Sequence, residues 1–351
     1  MEKLKAVILV GGPGMRLRPL TDDRPKSIVP VLNRPVLEHT LAYLKRYGVE
    51  DIVLTLNYLP EVIQDYFGDG RRFGVRLAYC IEEEPRGTAG AVKNAEAYLD
   101  GSFYVLNGDV FTDMNLTDML AYHREKKARA TISLTWVDNP SAFGVVETDA
   151  DGRVKRFIEK PPPGKATTNW INAGTYILEP EVLGEIPSGC HHMFEKGLFP
   201  HLLEKGEPVY GFTYRGYWLD MGTPEKNFSV NMDMLNSKVN SPLNTNTGIK
   251  AIYNNKNISI DPSARIKVPV IIDNGCIIGP GVQIKGPAVI GRDCRLHDGV
   301  RIENTVLWDG VTVGANSRLS GCIVSSHTVI GDNRNIENSI LTPSQTVPLH
   351  F

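Results

Sequence analysis

No apolar run in this chain approaches the ~18 residues that a membrane span needs. The first such run, Ala6-Val7-Ile8-Leu9-Val10, is cut off at Gly11 and is also too short for the core of a signal peptide. Cysteine is scarce. Cys80, Cys190, Cys276, Cys294 and Cys322 are odd in number and never spaced CxxC, which points away from a disulfide framework and from a zinc site. A dominant sign of charge is missing too: a formal net charge of −2 does not suit a nucleic-acid or membrane surface. No Gly-Lys-Ser/Thr follows the first glycines, so a P-loop ATPase is excluded. These absences predict a cytoplasmic protein without nucleic-acid or membrane partners, and 351 residues are enough for two domains.

What the chain does have begins at residues 9–30, LVGGPGMRLRPLTDDRPKSIVP. A buried strand ends here and turns through Gly11, Gly12 and Gly14 before Arg16, Arg18, Arg24 and Lys26. Glycines let backbone N–H groups approach a ligand closely, and fixed cations beside them suit a polyanion. A triphosphate site is one reading of these residues. A glycine-rich connection with solvated basic side chains is the other.

Downstream, short apolar strands alternate with helical patterns. Strands are expected at 51–56, 75–80 and 103–106. Helices are expected between Pro35 and Gly48, over 60–67, and over 88–99 with Thr88 as a cap. This order predicts a mostly parallel, Rossmann-like α/β sheet that binds ligands at the carboxyl ends of its strands. From 131 to 217 strands dominate, interrupted by a helix near 191–204, and 224–235 reads as a helix leading out of the domain. Residues 237–257, rich in Asn, Ser and Lys, read as a linker that separates a first domain (1–236) from a second (258–351). In the second, Ile260, Ile266, Ile272, Ile278, Ile284, Ile290, Leu296 and Ile302 recur every six positions, and the series resumes after single five-residue steps. Compact residues such as Ala264, Cys276, Ala288 and Cys294 stand two places before them. That pattern predicts a parallel β-helix with three short strands per coil, in which Cys276 and Cys294 stack as small apolar residues.

Three further places could carry chemistry. Asp109 in NGD and Asp220 in WLDMGTPE are carboxylates at strand ends, and Mg²⁺ commonly takes one or two of these and completes its shell with phosphate and water. Lys160 follows Glu159 in FIEKPPP, offering a point charge for a phosphate beside an acceptor for sugar hydroxyls. Residues 82–90, EEEPRGTAG, lead from a strand into a helix. Each also has a plainer explanation: a turn or cap for Asp220, a solvated ion pair for Glu159 and Lys160, a solvated loop for the glutamates.

Taken together, GGPGMRLRPLTDDRPK, EEPRGTAG, NGD, FIEKP, NAGTYILEP and WLDMGTPE resemble the sugar-1-phosphate nucleotidylyltransferases, through residues 4–230 and in family order. The repeats behind them resemble the left-handed β-helix of the family's longer members. The resemblance implies in-line attack of a sugar-1-phosphate on the α-phosphorus of a nucleoside triphosphate, with Mg²⁺ as cofactor and pyrophosphate as leaving group. By motif position, Gly11, Gly12, Gly14, Glu82, Gly87 and Thr88 would bind the nucleotide. Arg16 would hold the pyrophosphate, Lys26 the α-phosphate region and Lys160 the sugar phosphate, while Asp109 and Asp220 would hold the metal. Gly108, Gly144, Glu159, Asn172 and Gly174 would face the sugar. A homo-oligomer is implied as well. Two residues depart from the pattern: Met15 stands where Thr or Ser is usual, and Arg86 where Leu is usual.

Uridylyl and thymidylyl relatives carry Gln where this chain has Glu82. A carboxylate is acceptor-only and matches the adjacent N1–H and N2–H donors of guanine. GTP is therefore the expected nucleotide, and the likeness within the family is strongest to the branch that uses mannose-1-phosphate. Thymidylyl, uridylyl or adenylyl transfer to glucose-1-phosphate is the alternative in kind. A β-helix acyltransferase with His297 or His327 as base, and a non-catalytic subunit that senses nucleotide sugars, are the alternatives in class.

Overall fold

The computed structural model describes residues 4–239, the short strand Ile252–Tyr253 and residues 257–350. Most of the predicted linker, 237–257, lies outside the described residues. The chain forms two compact units. The first comprises 1–13 and 40–219, the second 14–39 and 220–351.

The first unit is built on a nine-stranded sheet. Strand Lys5–Leu9 lies between Asp51–Leu56 and Phe103–Asn107, parallel to both, and Arg76–Ile81 extends the parallel half. Ala6, Val7 and Ile8 are fully buried, as a strand covered on both faces requires. Leu9 pairs with Thr55 on one side and Asn107 on the other, so these strands deliver their carboxyl ends to one edge. Beyond them Trp170–Leu178 runs antiparallel to Phe103–Asn107 and to Ala130–Trp136, and the sheet is mixed from there on.

Helix α1 (Val36–Arg46) buries Leu37, Leu41 and Leu44, the apolar side its spacing predicts. Helix α2 (Pro60–Phe67) has the predicted limits. Helix α3 (Gly87–Asn94) is shorter than expected, because the chain tightens at Ala95, whose N–H bonds Val92 C=O, into a 3₁₀ turn at Glu96–Tyr98. Helix α4 spans Leu116–Glu125. The single helix expected near 191–204 is a π-helical turn, Phe194–Leu198, followed by α5 (Phe199–Glu204). Pro200 has no N–H to give the preceding turn, so a continuous α-helical ladder cannot pass through it.

The second unit contains the β-helix. One face stacks Ser259–Ile260, Ile277–Ile278, Arg295–Leu296, Thr312–Val313 and Val329–Ile330 in parallel. The other two faces repeat the arrangement, as in Arg265–Lys267 on Gln283–Ile290 and Val270–Ile272 on the same strand's second half. Cys276 and Cys294 are fully buried at successive coils. Corners turn through a left-handed residue at every coil, as in the column Gly281, Gly299, Asn316 and Asn333. The last coil edge is covered by Thr346–Pro348, antiparallel to Ser339–Leu341, which removes an exposed pairing edge.

Helix α6 (Pro224–Leu235) is capped by Thr223, which accepts from the Lys226 N–H. Its buried Asn231 accepts from Leu32 N–H at 2.8 Å, and Asn227 donates to Pro30 C=O at 3.2 Å. Asn33 donates to Ile290 C=O of the β-helix at 2.9 Å. Residues 14–39 thus form a strap held by α6 and by the coils, a feature that six-residue periodicity cannot reveal.

Candidate functional site

In the first unit the predicted nucleotide residues follow strand ends. Gly11 lies against Asn57, whose side chain donates to Glu82 C=O at 2.9 Å, and nothing stands within 4 Å of the place a Gly12 side chain would occupy. Glu82 is buried. Its Oε2 accepts from Arg86 N–H at 3.3 Å, while its Oε1, also buried, has no hydrogen-bond partner. Burial pushes its pKa up, opposed by the Arg86 amide and the Arg86 charge. The Arg86 side chain runs back along α3 to Asn94 Oδ1 at 3.1 Å.

Gly87 has φ +71°, and a Cβ there would stand 2.6 Å from His192 C=O, so no other residue fits without movement. The expectation that Thr88 caps α3 is corrected by the structure. Arg86 occupies the N-cap position without a capping bond from its side chain. The Thr88 hydroxyl instead accepts from Phe194 N–H at 2.9 Å and donates to Glu195 Oε2 at 3.2 Å. The π-helical turn competes for this hydroxyl and wins, because its amide is buried and needs an acceptor.

The predicted sugar residues gather on the antiparallel side. Glu159 pairs with Gly144 across the strands, and Lys160, at φ +49°, reaches back to Glu159 Oε1 at 3.3 Å. Asn172 donates to the Tyr176 hydroxyl at 2.8 Å and accepts from Gly174 N–H at 3.1 Å. These residues sit where the strand's pairing register shifts, which turns side chains that would otherwise alternate. Gly108 N–H bonds Leu9 C=O at 3.0 Å, and a Cβ on Gly108 would approach that oxygen to 2.9 Å; packing alone accounts for this glycine. Asp109 lies in the turn that follows. Glu195 escaped the sequence reading. It is a carboxylate whose pKa is raised, first by burial, with the Glu159 charge adding to the rise. Its position in a run that reads only as helix gave no signal.

The second unit holds the remaining predicted residues. Gly14 has φ +67°, and its C=O accepts from the Thr21 hydroxyl at 2.9 Å. Arg16 lies in a 3₁₀ turn (Met15–Leu17), and Lys26 opens another (Lys26–Ile28) after Pro25. Met15 is 56% exposed, so no packing demand explains its departure from Thr or Ser. Asp220 ends strand Trp218–Asp220. The Arg16 guanidinium and the Asp220 carboxylate both lie within 3.3 Å of where a Cβ on Gly222 would stand. Lys226, which the sequence reading missed, places Nζ 3.7 Å from Asp220. Two cations and a carboxylate gathered at Gly222 form a polar cluster suited to phosphate oxygens.

The family profile described as nucleotidyl transferase matches residues 5–237. This chain belongs to the nucleotidyl transferase family. A second profile, that of the EIF2B subunit epsilon LbH domain, matches residues 249–348, the span of the β-helix. Among nucleotidyl transferases, the mannose-1-phosphate guanylyltransferase of Mycobacterium tuberculosis is 35% identical over 92% of this chain and 83% of its own length. A probable mannose-1-phosphate guanylyltransferase of Arabidopsis thaliana is 37% identical over 95% of this chain and 90% of its own. The UTP–glucose-1-phosphate uridylyltransferase of Synechocystis sp. is 40% identical, over 62% of this chain and 60% of its own. Among solved structures, HddC from Yersinia pseudotuberculosis shares 30% identity and a TM-score of 0.58, covering 65% of this chain and 98% of its own. The chain is thus a sugar-1-phosphate nucleotidylyltransferase with a left-handed β-helix behind the transferase domain.

Proposed function

We propose that this nucleotidyl transferase makes GDP-mannose and pyrophosphate from GTP and mannose-1-phosphate. The observation that carries the reading is Glu82: an acceptor-only side chain at the family's base position, buried, with one oxygen that lacks a donor. Guanine supplies two adjacent donors, whereas the edges of uracil and adenine would leave the carboxylate facing an acceptor. Two relatives that align over more than 90% of this chain carry the guanylyltransferase name.

In this reading an oxygen of the sugar phosphate forms a bond to the α-phosphorus as the α–β bridging bond breaks, and pyrophosphate leaves. The nucleophile is already an anion, so the residues act by placing charges rather than by removing a proton. Arg16 and Lys26 neutralise the leaving group and the α-phosphate region. Lys160 anchors the sugar phosphate, and Glu159, Asn172 and the backbone at Gly144 and Gly174 orient the hexose. Among the described residues no group of three or more His, Cys, Asp or Glu is placed to hold a metal ion. Single carboxylates suit Mg²⁺, which takes few protein ligands beside phosphate. Asp109 and Asp220 would hold that ion, whose chemistry when bound is to offset charge on the phosphate oxygens. The protein acts as a cytoplasmic homo-oligomer in this reading.

Pyrophosphate release, measured with Mg²⁺ across five nucleoside triphosphates and several hexose-1-phosphates, tests it. The expected result is the largest kcat/KM with GTP and mannose-1-phosphate. A larger value with UTP, dTTP or ATP, or with glucose-1-phosphate, overturns the assignment.

A further inference from the structure

The strap that carries Arg16 and Lys26 makes side-chain contacts with the β-helix. The Arg24 guanidinium lies over the Trp308 ring, 4.9 Å from its centroid. Its orientation is fixed by a bidentate pair with Asp23, at 2.8 and 2.9 Å. Trp308 is 2% exposed and follows Leu307, one of the inward residues of the coil. Beside it, Gln345 of the last hairpin donates to Asp22 at 3.4 Å, and Asp22 in turn faces Arg18 at 3.4 Å. Farther along, Asn33 is bonded to the Ile290 carbonyl. The strap therefore meets two coils, at Ile290 and Trp308, and the terminal hairpin at Gln345, and in sequence its two phosphate-type cations stand on either side of Arg24.

We propose that Arg24 and Trp308 are positioning residues for the triphosphate: the β-helix holds the strap in the conformation that presents Arg16 and Lys26. The inference rests on the nucleotide reading of those two cations. A cation over an indole is the strongest pairing of its type and is worth more where the ring is out of water. Lys could supply the charge but not the flat face that Arg lays on the ring. Since Arg24 touches no reacting group in this scheme, its loss should act through the affinity for nucleotide and not through the sugar.

Arg24→Met and Trp308→Leu remove the contact from either side, and Trp308→Phe restores a ring. Steady-state pyrophosphate release by the full-length protein should show KM for GTP raised about three- to ten-fold in the first two. KM for mannose-1-phosphate should stay within about two-fold, the double variant should be no worse than the poorer single one, and Trp308→Phe should recover most of the loss. Unchanged KM for GTP in both single variants overturns the proposal. So does a uniform fall in kcat with both KM values unaltered, which a merely structural role would give.

Hydrogen exchange over residues 14–28 reads the same contact without substrate. Protection should fall in Trp308→Leu and return in Trp308→Phe, and equal protection in all three proteins counts against the contact. If the wild type releases no pyrophosphate from GTP, the substrate reading fails, while the exchange result still decides whether the β-helix holds the strap.

Discussion

Glu82 occupies an uncomfortable place for a carboxylate: one oxygen is on the Arg86 amide, the other is buried without a donor. A buried acceptor left unpaired costs about 1–3 kcal/mol, so a ligand bringing two donors is favoured and one bringing an acceptor is rejected. Glu82→Gln should lower kcat/KM for GTP relative to UTP and dTTP, by up to roughly 10⁴ if the pair forms fully. Competition between nucleotides in a single pyrophosphate assay measures it, and an unchanged ratio would remove Glu82 from base choice. Asp109→Asn and Asp220→Asn should each reduce turnover about 10²- to 10³-fold, the range for losing one preorganised electrostatic partner. Near-normal turnover in both would place the metal elsewhere. Thr88→Val leaves the Phe194 amide without its acceptor and should destabilise the protein by about 1–3 kcal/mol, read as a shift in the urea midpoint. Arg16, Lys26, Glu82, Asp109, Lys160 and Asp220 could be named as candidates from the sequence because each sits in a short run that resembles a family motif. Glu195 and Lys226 were not, since their significance lies in partners distant along the chain.

At the scale of elements, strands and most helices follow from periodicity. The exceptions have local causes in Pro200, in the tightened turn at Ala95 and in the Thr88 hydroxyl. The strap is different. It has little regular structure, and its shape comes from side chains that reach out of it. His39, at the helical end, is buried and its Nε2 bonds Val31 C=O at 2.9 Å. Burial lowers its pKa from 6.5 to about 4. Between those values the folded state binds fewer protons than the unfolded one, so stability is fully present above pH 6.5 and is lost as pH falls toward 4. At 1.36 kcal/mol per unit the loss amounts to roughly 3 kcal/mol. His39→Gln keeps an N–H for Val31 and cannot be charged. The difference in urea midpoint between the two proteins should therefore shrink by that amount, in the variant's favour, from pH 6.5 to 4. A constant difference would mean that His39 is not the titrating group.

The molecule as a whole divides where its motifs do not. Family profiles break it between 237 and 249, at the composition change visible in the sequence. By compactness, residues 14–39 and 220–239 belong with the coils. The six-residue period reports only which side chains point inward; it says nothing of the Ile290 carbonyl, although Ile290 is one of its positions, or of the Trp308 ring, and these hold the strap. In the proposal above the β-helix supports the strap, and truncation separates that role from any part it has in self-association. A chain ended after Lys238 loses the β-helix partners of Arg24, Asn33 and Asp22. It should keep the sheet of the first unit, seen in its far-ultraviolet dichroism. Its thermal midpoint should fall, because α6 and the strap lose buried surface at about 25 cal/mol per Å². Its KM for GTP should rise at least as far as in Trp308→Leu, and light scattering should show a smaller assembly. A truncated chain with wild-type KM for GTP would mean that the strap keeps its shape without the coils; one that retains the wild-type assembly would move the self-association surface to the transferase domain.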